Sequence, residues 1–175
     1  MTTASNGFTI ATAENLQVSD TELTALLTEV YVGGSFTTAD EAATLFAPAA
    51  VRGRGILLAA RDNRLSTLAG MAIVVPPGSA ARRLARHNEA ELHLLAVRPD
   101  YRCHGLGRRL VETAVELAGP LGCRKIMLWT QESMTTAQHL YESSGFRHIS
   151  DFERNGRRFK VYERSLQDAH STYVD

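Results

Sequence analysis

An aliphatic stretch, Leu92-His93-Leu94-Leu95-Ala96-Val97, runs through Arg98-Pro99-Asp100-Tyr101 into Arg102-Cys103-His104-Gly105-Leu106-Gly107. Apolar residues then recur with helical spacing at Leu106, Leu110, Ala114, Leu117 and Ala118. Nothing else in the chain constrains its fold as tightly. A buried strand must feed a short glycine-bearing loop, and the loop must open a helix whose apolar stripe packs back on the sheet. The first amides of a helix have no intrahelical acceptor, and the helix dipole favours negative charge beside them. An Arg-x-x-Gly-x-Gly loop at that place suits a pyrophosphate, because glycines admit phosphate oxygens close to the backbone. Two other phosphate loops fit less well. A dinucleotide fingerprint wants a third glycine where Leu110 stands, and a Walker A loop needs a Gly-Lys-Ser/Thr that is absent.

The rest of the chain reads as short alternating elements. Residues 8–11 form a first strand. Residues 15–32 carry Leu23, Leu26, Leu27 and Val30 at helical spacing, with Ser19 or Asp20 as cap and Gly33-Gly34 as terminator. Residues 40–46 read as a second short helix stopped by Pro48. The aliphatic runs 56–60 and 68–75 form a hairpin about Arg61-Asp62-Asn63-Arg64, and Pro76-Pro77-Gly78 breaks the second run. Residues 78–89, with Arg82, Arg83, Arg86 and His87, are an exposed loop or short helix. After the central strand 91–97 and the helix 106–118 come a strand at 125–130 and a helix at 135–144, closed by Gly145. A final pair of strands, 146–152 and 157–166, turns at Asn155-Gly156, a dipeptide suited to a tight hairpin in which both central residues take positive φ. The order β-α-α-β-β-β-α-β-α-β-β predicts an α/β (α+β) chain with a mixed sheet and helices on both faces. Residues 1–175 read as a single domain, with 1–6 and about 168–175 as loose termini.

At 175 residues, 44% hydrophobic and 22% charged, the chain is long enough to bury a real core. Lys plus Arg equals Asp plus Glu at 19 each, so there is no basic excess for nucleic acid or a membrane surface. Two cysteines, Cys103 and Cys123, are too few for a disulfide framework or a cysteine-based zinc site. The six histidines show no metal spacing, so no metal is expected. The polar N-terminus carries no secretory pattern, and no apolar run approaches the ~20 residues of a membrane span. A cytoplasmic location is expected.

Two motifs together resemble the GNAT (Gcn5-related N-acetyltransferase) superfamily. The first is Leu95-Ala96-Val97-x-Pro99-x-Tyr101-Arg102-x-x-Gly105-x-Gly107-x-x-Leu110, similar to the family's acetyl-CoA motif. The second is Ala137-x-x-Leu140-Tyr141-Glu142-x-x-Gly145-Phe146, similar to the signature that completes the cofactor cleft. The resemblance implies a mostly antiparallel sheet of about seven strands, splayed between the fourth and fifth. It also implies an acetyl-CoA-dependent N-acetyltransferase, a monomer or homodimer, acting on an amine-bearing small molecule or peptide. The pantetheine arm would pair with the backbone of Leu95, Ala96 and Val97, with Ala137 on the facing helix. The pyrophosphate would lie on the amides of Arg102, Cys103, His104, Gly105, Leu106, Gly107 and Arg108, with the Arg108 and Arg109 side chains near the phosphates. Asn is common in the family where Met134 stands here, which removes one polar contact to the pantetheine.

An alkylammonium, with a pKa of about 10, must lose a proton before it attacks a thioester. Glu91 matches the general base of some family members. Strand alternation places Glu91, His93, Leu95 and Val97 on one face, so either Glu91 or His93 can accept the proton. Tyr141 matches the tyrosine that protonates the leaving thiolate. The acceptor would sit against the segment 31–38 and the last hairpin, with Tyr31, Phe36 and Asp151 as candidate contacts. The alternative is an acyl-CoA-binding regulatory or interaction domain that does not turn over.

Overall fold

A computed structural model describes residues 3–5, as backbone, and 7–166. In chain order the strands are β1 (Thr3–Ser5), β2 (Phe8–Thr12), β3 (Ile56–Asp62), β4 (Leu68–Val75), β5 (Glu89–Val97), β6 (Lys125–Gln131), β7 (Arg147–Arg154) and β8 (Arg157–Ser165). The helices are α1 (Asp20–Leu27), α2 (Ala39–Leu45), α3 (Pro48–Arg52), α4 (Leu106–Ala118) and α5 (Thr135–Ser143). A π-helical turn, Thr28–Val32, prolongs α1. The strands form one sheet in the order β1-β2-β3-β4-β5-β6-β8-β7. Among the described residues, only β5 and β6 pair in parallel. Among the described residues, no helix is long and apolar enough to cross a membrane.

The mixed, mostly antiparallel sheet with helices on both faces is as expected, and two elements are additional. Residues 3–5 pair with Phe8–Ile10 instead of forming a loose terminus. Gly7 takes φ +83° in that turn, and the Asn6-Gly7 dipeptide carried the signal. Pro48 not only follows α2 but opens α3. At the first helical position its missing N–H costs nothing. The expectation for 168–175 lies outside the described residues.

Two apolar layers hold the sheet. On one face α4 and α5 bury Leu106, Leu110, Val111, Ala114 and Tyr141 against Leu58, Ala72, Val74, Ala90 and Leu92. On the other, α1 and its π turn bury Leu23, Leu26, Leu27 and Val30 against Leu57, Met71, Ile73 and Ala96. The helix α4 approaches closely because Gly70 has no side chain: a Cβ there would meet Leu110 Cδ1 at 3.1 Å and the Ala96 carbonyl at 2.9 Å. Ser19 and Thr38 cap α1 and α2 in reciprocal boxes with Glu22 and Glu41.

The sheet is open in its middle. Strands β5 and β6 pair only at Glu89–Lys125, Ala90–Ile126 and Glu91–Met127. Past these residues each continues without the other, β5 bonded to β4 and β6 to β8. This is the splay expected between the strands 91–97 and 125–130.

Candidate active site

The loop between β5 and α4 leaves a run of amides without backbone acceptors among the described residues. A 3₁₀ turn at Pro99–Tyr101 closes on the Arg102 amide, which donates to the Pro99 carbonyl at 3.1 Å. Arg102 N–H is therefore spent inside the loop, and the expected series of free amides begins at Cys103. Cys103 takes φ +63° and Gly105 φ +74°. Arg109 makes the first backbone bond of the helix, to the Gly105 carbonyl at 3.1 Å. The amides from Cys103 to Arg108 have no backbone partner among the described residues. The two glycines serve different ends. Nothing lies within 4 Å of a Cβ built on Gly105, whereas one on Gly107 would meet Leu140 Cδ2 at 3.1 Å. Gly105 thus permits the left-handed turn beside open space, and Gly107 lets α5 pack on α4.

The side chains of the loop are arranged differently from the amides. Arg108 donates to the Ser143 carbonyl at 3.0 Å and to its Oγ at 2.9 Å, closing the C-terminus of α5. Its guanidinium is therefore committed to helix packing, and its amide is what faces the loop. His104 Nδ1 lies 2.6 Å from the Arg102 carbonyl. The exposed Cys103 is a free thiol.

A bulge in β5 resets the strand's alternation. Ile73 pairs with His93 and Met71 with Ala96, so Leu94 and Leu95 together face the single residue Ala72. Leu94 takes φ +48° to do so. Leu94 and Ala96 consequently pack with the α1 layer, while Leu95 and Val97 pack with the α4 layer. Glu91, His93, Leu95 and Val97 do not share a face as simple alternation predicts. Glu91 and His93 point to the α1 side, opposite Val75 and Ile73.

Glu91 is fully buried and accepts a dense set of bonds. The Arg83 amide lies 2.9 and 3.0 Å from its two oxygens, and the Leu84 and Ala85 amides each lie 2.5 Å from Oε1. His93 Nε2 lies 2.6 Å from Oε2. Burial alone raises the Glu91 pKa, but the His93 bond and the three amides outweigh it and hold the carboxyl below its usual range. The segment 78–89, expected as an exposed loop or short helix, is a loop up to residue 88 and joins β5 at Glu89, and its backbone closes over this carboxylate. A carboxylate so saturated orients the His93 ring: Nε2–H donates to Glu91, and Nδ1 keeps its lone pair. Nδ1 has no hydrogen-bond partner among the described residues. The His93 ring meets Trp129 of β6 edge-on at 4.7 Å, across the start of the splay. Trp129 was missed from sequence; being the only tryptophan, on the strand parallel to β5, was its one signal.

Tyr31 and Phe36 span the opening. The Tyr31 hydroxyl donates to the Leu95 carbonyl at 3.1 Å, and Gln131 Nε2 donates to the Phe36 carbonyl at 2.7 Å. The segment between them therefore bridges β5 and β6 on the α1 side. Tyr141 approaches from the other face, in the α4 layer with Ala137 beside it. Burial raises its pKa well above the usual phenol value, and the nearby Tyr31 adds to the shift. Asp151 does not join this group. It lies on the exposed outer strand β7, 2.7 Å from His148 and opposite Lys160. The last hairpin reaches α2 through Arg157 instead, at 2.8 Å from Glu41. Its turn has Asn155 at φ +51° and Gly156 at φ +69°, as their residue types predict.

The sequence profile of the acetyltransferase (GNAT) family matches residues 21–146. A stretch of 79 residues is 37% identical to a mycothiol acetyltransferase of Geodermatophilus obscurus, covering 45% of this chain and 24% of that protein. A stretch of 76 residues is 34% identical to N-alpha-acetyltransferase 30 of Saccharomyces cerevisiae, covering 41% of this chain and 43% of that protein. The matching stretch thus spans less than half the length of either relative. In fold, the chain is similar to YncA of Salmonella typhimurium, solved with its cofactor acetyl-CoA. The TM-score is 0.63 at 17% identity, covering 97% of this chain and 100% of that one.

Proposed function

The chain belongs to the acetyltransferase (GNAT) family, and on that premise we propose that it acetylates a primary amine, using acetyl-CoA in a direct transfer. The observation that carries the reading is the placement of His93. It stands where β5 and β6 part, fixed by Glu91, with a ring nitrogen left unbonded. The amide-lined loop at the far end of the same strand fits a pyrophosphate: donors without acceptors, beside open space at Gly105. The β5 edge at Leu95–Val97, unpaired toward β6, fits an extended pantetheine arm. Bound there, acetyl-CoA supplies an activated acyl thioester.

The protein's own groups then have distinct tasks. The amides from Cys103 to Arg108 hold the phosphates. His93 takes the ammonium proton at Nδ1, and Glu91 holds the ring as its charge rises. An N–C bond forms as the C–S bond breaks, and Tyr141 gives its Oη proton to the departing sulfur. As a phenol, Tyr141 carries its proton at neutral pH and so has one to give. His93 and Tyr141 lie on opposite faces of the sheet, so the splay is the passage through which amine and thioester meet. We read Tyr31 and Phe36 as lining the acceptor side and residues 1–175 as one catalytic domain, active as a monomer or homodimer in the cytoplasm. The name of the yeast relative, an N-alpha-acetyltransferase, supports an amine acceptor.

The test is calorimetric titration with acetyl-CoA, with ATP and NAD as controls, followed by thiol release across an amine panel. Binding of acetyl-CoA alone with acceptor-dependent release supports transfer. Binding without release from any amine favours the regulatory alternative.

A further inference from the structure

The apolar layer beneath α1 stops at β5: none of its members lies on β6, β7 or β8. On that side of the sheet these three strands carry aromatic rings instead. Trp129 and Gln131 stand opposite Val161 and Phe159, and Phe159 stands opposite Phe152, so all share one face. Ile126, Leu128 and Tyr162 pack with α4 on the other face. Trp129, Phe159 and Phe152 are each half-buried and belong to neither core. They continue from His93 as a row. The His93 and Trp129 rings lie 4.7 Å apart, and Phe159 stacks on Phe152 at 5.0 Å and 10°. Trp129 and Phe159 are diagonal cross-strand neighbours, a relation that sets residues roughly 7–8 Å apart.

The row has a border on each side. Toward the hairpin turn, Gln131 Nε2 donates to the Phe36 carbonyl at 2.7 Å, and Arg157 lies 2.8 Å from Glu41. The segment 36–41 therefore forms a wall beside Phe159, and Arg154 lies outside it at the turn. At the opposite border, Glu163 is held by Lys125 at 2.7 Å and by Arg147 at 2.6 Å. The ionic groups of both borders are thus paired with one another. The backbone beneath the row is committed as well, since β8 is bonded to β6 on one edge and to β7 on the other. What the row offers a ligand is ring surface.

We propose that this aromatic row receives the acceptor, so that the amine presented to His93 carries an aromatic ring at its other end. The proposal rests on the transfer reading above for the place of the amine, and goes beyond it in naming the amine's class. Ring faces match a neutral planar tail through stacking and apolar burial. A carboxylate or phosphate tail meets border cations that are already paired, and a peptide meets strands whose edges are already bonded.

Trp129 is the only tryptophan, so its emission reports on the row directly. The CoA-loaded protein is titrated with 2-phenylethylamine, 4-phenylbutylamine, butylamine and triglycine, by calorimetry and by Trp129 fluorescence. Thiol release from acetyl-CoA is followed in parallel. At least one phenyl-bearing amine should bind at least about tenfold more tightly than butylamine and change the Trp129 emission. Phe159→Leu and Phe152→Leu should each reduce that advantage by about threefold or more. Phe152 is the safer variant, because it lies on the outermost strand and outside both cores. Equal binding of phenyl and alkyl amines, tighter binding of triglycine, a preference untouched by both variants, or no binding of any probe would overturn the proposal. Ring-dependent binding that changes Trp129 emission and follows Phe152 and Phe159, but without thiol release, would leave the row standing and sink the transfer reading instead.

Discussion

His93 Nε2 lies 2.6 Å from Oε2 of Glu91, and the other oxygen of that carboxylate is filled by backbone amides of the segment 83–85. One buried charge thus holds both a ring and a loop. In the proposed transfer the pair divides the work that either residue alone was expected to do, with His93 meeting the proton and Glu91 positioning His93.

Replacement of His93 by Gln should lower kcat by about 100-fold or more while acetyl-CoA affinity stays within a few-fold, because general-base effects are of that size and the phosphate loop is distant in the strand. Single-turnover kinetics beside calorimetry checks this. A kcat near that of the wild type would remove His93 from the mechanism.

Glu91→Gln should cost about 3 kcal/mol of stability, since an amide NH₂ would be set against backbone N–H groups that need an acceptor. The pH dependence has a definite sign. The folded pKa of Glu91 is depressed, so its stabilisation is complete above the ordinary carboxylate range and is lost as pH falls through that range toward the folded pKa. Denaturant melts from pH 7 to pH 3 should show a shallower acid decline in Glu91→Gln than in the wild type. Parallel curves would contradict the assignment.

Tyr141→Phe should reduce kcat by about tenfold or more and leave acetyl-CoA binding unchanged, as loss of a proton donor but not of packing predicts. The raised pKa of this phenol favours the folded state fully below about pH 10, the usual phenol value, and that advantage fades as pH rises toward the folded pKa. Stability measured from pH 8 to pH 11 should decline less steeply in the Phe variant.

Gly105→Ala should destabilise the loop by about 1 kcal/mol through its φ of +74°. Gly105→Glu should in addition abolish acetyl-CoA binding, by placing a carboxylate where the phosphates lie. Calorimetry together with melting separates the two effects. Retained affinity in a folded Gly105→Glu protein would refute the loop assignment.

Arg108→Ala should change acetyl-CoA affinity by no more than a few-fold, because its guanidinium is bonded to Ser143 at the end of α5. Its exposed contact is worth at most about 1 kcal/mol of stability. A large loss of affinity would show that the side chain leaves Ser143 for the phosphates.

Local chemistry made much of the fold legible. Asn155-Gly156 dictated its turn, Ser19 its cap, and the Leu110–Ala114 stripe the face that α4 buries. The Gly105 loop was equally plain, because a left-handed residue opening a helix is a property of a few neighbouring atoms. What escaped depended on distant partners. The bulge at Leu94 arises from pairing with β4 and moves Leu95 and Val97 to the opposite face from His93. The saturation of Glu91 requires amides from a loop whose own residues signalled only exposure and charge. Asp151 looked suited to an ammonium as a residue type, but the outer position of β7 gives it to His148.

By itself the sequence determined most of the element order, the glycine loop that opens α4 and the family, since each follows from spacing along the chain. Only the tertiary structure decided the bond between Glu91 and His93, the closure of the 83–85 amides on that carboxylate, and the commitment of Arg108 to α5. Those outcomes turn on which groups the folded chain brings within hydrogen-bond reach, and partners such as Arg108 and Ser143 lie far apart in the sequence.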